Sequence, residues 1–265
     1  MNIAALEPFL LELAAVAAAE TLPRFRAPGT ACDNKAASGF DPVTEADRAA
    51  EAAIRARIAA AHPGHGVIGE EYGEDRPDAE FVWVLDPIDG TRAFIAGAPV
   101  WTTLIGLRWR GRTVLGLIAQ PVLGEIYIGG AGLGARCIDP RGVTPLATRT
   151  GVALGEAIAA STDPALFAGD ERAAWDRLAR TVRLARYGLD AYAMAQLAAG
   201  HIDLVVETGL KPWDACGPRA VIEGAGGVVE DWNGIPAEEG RLIFAGSPAL
   251  ATVARAMLAG QTPPA

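Results

Sequence analysis

Only three cysteines occur in the 265 residues, Cys32, Cys137 and Cys216. They are far apart and odd in number, which supports neither a disulfide framework nor a zinc site; buried free thiols are expected instead. Histidine is equally scarce, at His62, His65 and His201. There is no Cys/His pair and no serine-hydrolase elbow, so nothing argues for a covalent intermediate, and the three histidines are expected on the surface or in loops. Positive charge is in deficit. With a formal net charge of -9 and scattered basic residues, an extended surface for nucleic acid or anionic lipid is not expected. The apolar start, MNIAALEPFLLELAAVAAAE, lacks the basic first segment of a signal peptide and carries Glu7, Glu12 and Glu20 at intervals that suit one polar helix face. An ordinary amphipathic helix and a cytoplasmic protein without a membrane anchor are therefore expected. The chain also lacks repeats, low-complexity blocks and any linker that cleanly separates two domains.

What is present is a large apolar fraction, 51%, enough for a sizeable core in one compact unit or two closely packed halves. Thr44 to about Ala61 reads as an Ala-rich helix. EFVWVLD, the stretch from TTLIGL to IYIGG, and GARCID read as strands, with RWRGRT a hairpin signal. Beyond about residue 150 strands and helices alternate. Antiparallel pairing followed by α/β alternation predicts a mixed, layered α/β fold over residues 1–265, with subdomains of about 1–145 and 146–265.

The segment VWVLDPIDGTRAF, residues 82–94, places two aspartates at the end of a buried strand. A charged, unpaired carboxylate there is costly, and two of them raise each other's pKa, so a cation is expected. Pro87 biases Asp86 towards extended backbone and Gly90 permits a sharp turn. This would aim Asp86, Asp89 and the carbonyl of Ile88 at one point. All three are hard oxygen donors with no His or Cys near them in sequence, which favours Mg²⁺ or Mn²⁺ over Zn²⁺. Gly90 and Thr91 stand where a helix begins, and free amides at a helix start favour a bound phosphate. The plainer alternative is a solvated Asp-Pro-x-Asp-Gly turn that caps a helix.

Other carboxylates bear on that choice. Glu70, in VIGEEYG, follows a short apolar strand, and Asp214, in LKPWDACG, stands at a probable helix start. Alone, the first reads as a surface group and the second as an N-cap; together they complete a carboxylate cage. Asp41, Thr44 and Asp47 read as a cap and first helical turn.

GFDPVTEAD, IGEEYG, WVLDPIDGTRAF and PWDACGPRAVIEGAGG, in this order and at these separations, resemble the inositol monophosphatase family of metal-dependent phosphatases. The resemblance covers nearly the whole chain. It implies a layered αβαβα sandwich, commonly dimeric, acting on small phosphomonoesters. It also implies that Glu70, Asp86 and the Ile88 carbonyl hold one metal, that Asp86, Asp89 and Asp214 hold a second, and that Glu70 helps recruit a third. Gly90 and Thr91 would bind phosphate through backbone amides, with the Thr91 hydroxyl paired to Asp47 near the attacking water. The CGPRA stretch departs from the family pattern, and Pro218 predicts a late start or a kink in its helix.

Within the family, DGTRAF, PVWTTLIGL and YGLDAYAMAQLAAGHIDLVVETGLKPWD look most like the histidinol-phosphatase branch. That resemblance implies hydrolysis of histidinol phosphate in histidine biosynthesis, with Glu207 contacting the substrate beyond its phosphate and Asp190 alongside it. Without it, Asp190 reads as the N-cap of the helix AYAMAQLAAG. An inositol phosphatase is the nearest alternative; a regulatory protein- or RNA-binding partner and a metal-binding module without turnover are the alternatives of other classes.

Overall fold

Alternation of apolar residues decides which faces of these strands are covered, and thereby the layering. A computed structural model describes residues 3–28, 32–34 and 42–261. Helices α1 (Glu7–Thr21) and α2 (Glu45–Ala61) pack on each other, and a short antiparallel ladder, β1 (Cys32–Asn34) with β2 (Pro42–Thr44), leads into α2. Thr44 caps α2: its hydroxyl accepts the Ala46 amide at 3.1 Å, and the Asp47 carboxylate accepts the Thr44 amide at 2.8 Å. Asp41, expected in the same cap, lies outside the described residues.

Then follow β3 (Gly66–Gly69), β4 (Gly73–Asp75), β5 (Phe81–Asp89), the short helix α3 (Thr91–Ile95), β6 (Thr102–Trp109), β7 (Arg112–Gln120), β8 (Glu125–Gly130), β9 (Gly134–Asp139) and β10 (Gly142–Pro145). These strands form one sheet in the order β10-β9-β8-β7-β6-β5-β3-β4, antiparallel except for the β3–β5 pair. The expected hairpin turns at Arg110 and Gly111, both with positive φ (49° and 75°), as a two-residue turn that matches strand twist requires. The remaining elements are β11 (Ile158–Ser161), α4 (Asp170–Thr181), β12 (Leu184–Tyr187), α5 (Tyr192–Ala198), β13 (Leu204–Leu210), α6 (Pro212–Gly224), β14 (Val228–Asp231), β15 (Gly240–Ala245) and α7 (Pro248–Leu258). Their strands form a second sheet in the order β12-β11-β13-β15-β14.

Three apolar cores bind five layers. Leu10, Leu13, Ile54 and Ile58 of α1 and α2 meet Trp83, Leu85, Ile105 and Leu117 on one face of the first sheet. Met194, Leu197, Val221 and Ile222 of α5 and α6 fill the space between the sheets, against Leu104 and Ile118 on one side and Val205 and Phe244 on the other. Trp175 and Leu178 of α4 join Leu250 and Ala254 of α7 on the outer face of the second sheet, over Val206 and Ile243. This is the αβαβα sandwich expected from the family resemblance.

The central helix α6 lies unusually close to the first sheet. A Cβ added at Gly106 would stand 2.3 Å from the Cys216 sulfur, and one at Gly116 would stand 2.6 Å from the Gly217 carbonyl oxygen. Only glycine allows that approach. Pro218 sits inside α6, which nevertheless begins at Pro212, so the late start does not occur. Pro212 presets the first turn, and the absent N–H of Pro218 costs only the bond to the Asp214 carbonyl. Cys137 and Cys216 are buried free thiols. No helix among the described residues is long and apolar enough to cross a membrane.

Candidate metal and phosphate site

Period-two alternation along β5 carries one row of side chains to α1 and α2 and the other to α6. Trp83 and Leu85 belong to the first row, while Val82 and Val84 pack with Cys216 of α6. Asp86 continues the second row, and α6 brings Asp214 in its first turn. The β5–β6 register shifts between Asp86 and Asp89, which turns Asp89 to the same place. Carboxylate oxygens of Asp86, Asp89 and Asp214 lie within 4.8 Å of one another.

The cluster is electrostatically unfavourable as it stands. Burial, followed by the charges of Glu70, Asp89 and Asp214, pushes the pKa of Asp86 well above the ordinary carboxylate range. Burial and the charge of Asp190 do the same to Asp89, opposed in part by the Ala191 amide. Asp86 Oδ1 is buried and has no hydrogen-bond partner among the described residues. A buried acceptor left unmatched costs about 1–3 kcal/mol, and a cation bound by these oxygens removes both that deficit and the repulsion. The donor set therefore fits a hard divalent ion. Glu70 lies outside the tight trio yet near enough for its charge to act on Asp86.

Asp214 is not the N-cap that its position alone suggests: Lys211 holds that place, and Asp214, at the third helical position, accepts the Lys211 amide with Oδ2 at 2.7 Å. Asp47 is double-purposed. Its Oδ2 accepts the Thr44 amide and, at 2.5 Å, the Thr44 hydroxyl, while Oδ1 faces the Thr91 hydroxyl at 3.4 Å. Burial raises its pKa to about 6 against the lowering effect of Thr44. Thr91 is thus brought to Asp47 as expected, but the Ile88 carbonyl is its nearer acceptor, at 3.1 Å. That bond leaves the second lone pair of the Ile88 carbonyl available. Gly90, the residue before α3, has φ 82°, and a Cβ there would meet Asp190 Oδ2 at 2.7 Å. Turn and close approach both demand glycine.

Asp190 does not cap α5: the residue before the helix is Ala191, and no side chain caps it. Asp190 has φ 49°, a left-handed conformation that Asp tolerates better than most residues. There its carboxylate packs on Gly90, and the following Ala191 amide donates to Asp89 Oδ2 at 2.7 Å. Burial raises the pKa of Asp190 to about 6, with Arg92 opposing. Glu207, 2% exposed, accepts the Thr162 amide at 2.7 Å and its hydroxyl at 3.1 Å. No role was expected for Thr162, Ala191 or Thr102, whose hydroxyl lies 3.4 Å from Asp89; they come from segments distant in the chain from the carboxylates they meet. His62 and His65 stack on each other in the loop after α2, outside this cluster, and His201 is exposed.

Burial raises the Glu207 pKa from 4.5 to about 8, despite the hydrogen bonds from Thr162. Its folded value exceeds its unfolded one, so its contribution to stability is complete below about pH 4.5 and is lost as pH rises through about 8. Glu207→Gln is expected to flatten the fall in melting temperature of chelator-treated protein between pH 5 and 8.5. Parallel curves for variant and wild type would refute this.

The model of the inositol monophosphatase family matches residues 3–262 of this chain. The bifunctional phosphatase IMPL2, a chloroplastic protein of Arabidopsis thaliana, is 44% identical over 197 residues, which are 74% of this chain and 56% of that protein. The chain thus spans little more than half of that relative's length. The histidinol-phosphatase of Chlorobaculum parvum is 34% identical over 194 residues, 73% of each protein. Among solved structures, an inositol monophosphatase from Zymomonas mobilis superposes with a TM-score of 0.84 at 40% identity, covering 94% of this chain and 96% of that one.

Proposed function

Because the chain belongs to the inositol monophosphatase family, a family of metal-dependent phosphatases, we propose that it is a Mg²⁺-dependent phosphomonoesterase that hydrolyses histidinol phosphate to histidinol and phosphate. The observation that carries the choice of substrate is buried acidity in excess of what the cation site uses. Asp190 and Glu207 both act on Asp89, and burial drives both towards their neutral forms. Beyond its phosphate, histidinol phosphate carries an ammonium and an imidazole, whereas inositol phosphate carries only hydroxyls. A cationic leaving group restores charge to such carboxyls and gains charge-assisted hydrogen bonds of about 1.5–3 kcal/mol each. Inositol phosphate is the competing substrate, since the Zymomonas mobilis protein is an inositol monophosphatase.

In this reading Glu70, Asp86 and the Ile88 carbonyl would hold one Mg²⁺, and Asp86, Asp89 and Asp214 would hold a second, with Glu70 helping to recruit a third. Bound there, the ions would shield the phosphate charge, acidify a water and stabilise the leaving alkoxide. The Gly90 and Thr91 amides bind phosphate oxygens. Thr91 Oγ1 accepts a hydrogen bond from the attacking water and directs its own proton to the Ile88 carbonyl or Asp47 Oδ1. Of these two acceptors only Asp47 can take up a proton near neutral pH. The water oxygen bonds to phosphorus as the ester P–O bond breaks, and the proton lost by water is delivered to the leaving alkoxide.

The test is phosphate release from histidinol phosphate, inositol 1-phosphate and 4-nitrophenyl phosphate. The wild type is expected to favour the first. Asp190→Asn or Glu207→Gln is expected to raise its KM by about tenfold or more, matching the loss of one charge-assisted bond, with about a twofold change for the neutral aryl ester. Higher efficiency on inositol 1-phosphate would overturn the substrate and leave the phosphatase intact. Equal losses on all three esters would make the two acidic residues structural.

A further inference from the structure

Glu51 is a fully buried carboxylate that the site described above does not use. It lies on α2 four residues after Asp47, hence on the same helical face. Its Oε2 accepts the Glu71 amide at 2.8 Å, and its Oε1 accepts the Tyr72 amide at 3.1 Å. Arg55 donates to Oε1 from Nε at 2.8 Å and reaches the Gly73 carbonyl with its other end. Helix α2 therefore grips the β3–β4 turn, residues 69–73, through the buried Glu51 carboxylate and its partly buried partner Arg55.

The grip is close. A Cβ at Gly69 would stand 2.1 Å from Glu51 Oε1 and 2.5 Å from its Cδ, so only glycine lets the carboxylate reach the amides beyond it. Glu70 lies between Gly69 and the two captured amides, and its own N–H donates to the Leu85 carbonyl of β5 at 3.2 Å. Three consecutive amides, those of residues 70, 71 and 72, are thus tied down, one by β5 and two by Glu51. A buried carboxylate is expensive unless such bonds match it. The expense is concentrated at the turn that carries one prospective cation ligand.

We propose that Glu51 is a positioning residue that sets Glu70 for metal binding. Helix α2 then aligns both flanks of the cation site, Asp47 reaching the Thr91 turn and Glu51 the Glu70 turn. The inference rests on the reading of Glu70 as a metal ligand. Glu51→Gln keeps the size of the side chain but turns an amide NH₂ towards backbone N–H donors, so the turn must shift.

The experiment is calorimetric titration of metal-free protein with Mn²⁺ for wild type, Glu51→Gln, Glu70→Gln and the double variant, with thermal melting to confirm folding. Glu51→Gln is expected to weaken Mn²⁺ binding about tenfold or more, as loss of a group that orients a ligand does. The double variant is expected to bind no more weakly than Glu70→Gln alone. Unchanged affinity in folded Glu51→Gln, or losses that multiply in the double variant, would overturn the proposal. Unchanged affinity in Glu70→Gln would instead remove its premise, a separable result. If Glu51→Gln does not fold, Glu51→Asp, which keeps the charge opposite Arg55 but shortens the reach, supplies the same comparison.

Discussion

Asp86→Asn is expected to lower turnover about a thousandfold, equivalent to ~4 kcal/mol of transition-state stabilisation, and at the same time to raise the melting temperature of the metal-free protein. Both effects have one origin. Asp86 is 2% exposed, its Oδ1 has no hydrogen-bond partner among the described residues, and Glu70, Asp89, Asp214 and Asp47 all oppose its charge. Asparagine has the same shape without that charge, so the repulsion is relieved. A gain of ~1 kcal/mol moves the melting point by roughly 2–4 °C in a chain of this size. The proposed site asks Asp86 to serve two cations, so the same change removes a shared ligand. A residue needed only for folding would show the reverse pattern, with stability lost and the remaining folded enzyme active. Near-normal turnover in folded Asp86→Asn would refute its assignment as bridging ligand.

Chelation of divalent cations is expected to abolish phosphate release, with recovery on addition of Mg²⁺. Asp86, Asp89 and Asp214 crowd their oxygens within 4.8 Å, and burial together with the neighbouring carboxylate charges pushes Asp86 and Asp89 well above the ordinary carboxylate range. A phosphate dianion cannot approach such a cluster until cations compensate it. The same ions bind the folded chain and not the unfolded one, so Mg²⁺ at about a hundred times its dissociation constant should add ~2.7 kcal/mol of stability. Melting curves with and without Mg²⁺ measure that gain, which should shrink in Asp86→Asn. Full turnover in excess chelator would sink the metal-dependent reading altogether.

Part of the fold was plain in the sequence because its causes are local. The Thr44–Asp47 cap, the Arg110–Gly111 hairpin and the strand EFVWVLD, which β5 carries on to Asp89, each follow from neighbours a few residues apart. Strand β15 and helix α7 were not among the expected elements, although GRLIFA is apolar and Ser247, which caps α7 by accepting the Leu250 amide at 3.2 Å, precedes a proline. The expected delay of α6 by Pro218 also failed, since Pro212 starts the helix and the glycines of the facing strands receive it.

The sequence by itself pointed to an acidic cluster and to its likeness to one family, since a strand running into Asp-Pro-x-Asp-Gly marks where two carboxylates and a turn coincide, while the β5–β6 register shift that brings Asp89 round to Asp86 came with the sheet. Tertiary structure alone decided what surrounds them. The left-handed turn at Asp190 presents the Ala191 amide to Asp89, 102 residues away in the chain, and the Glu51 carboxylate captures amides 20 and 21 residues on. Asp214 reaches the cluster through close seating of α6 on Gly106 and Gly116. Hydrogen bonds and repulsions of this kind act over a few ångströms in space, and separation along the chain carries no information about them until the layers have packed.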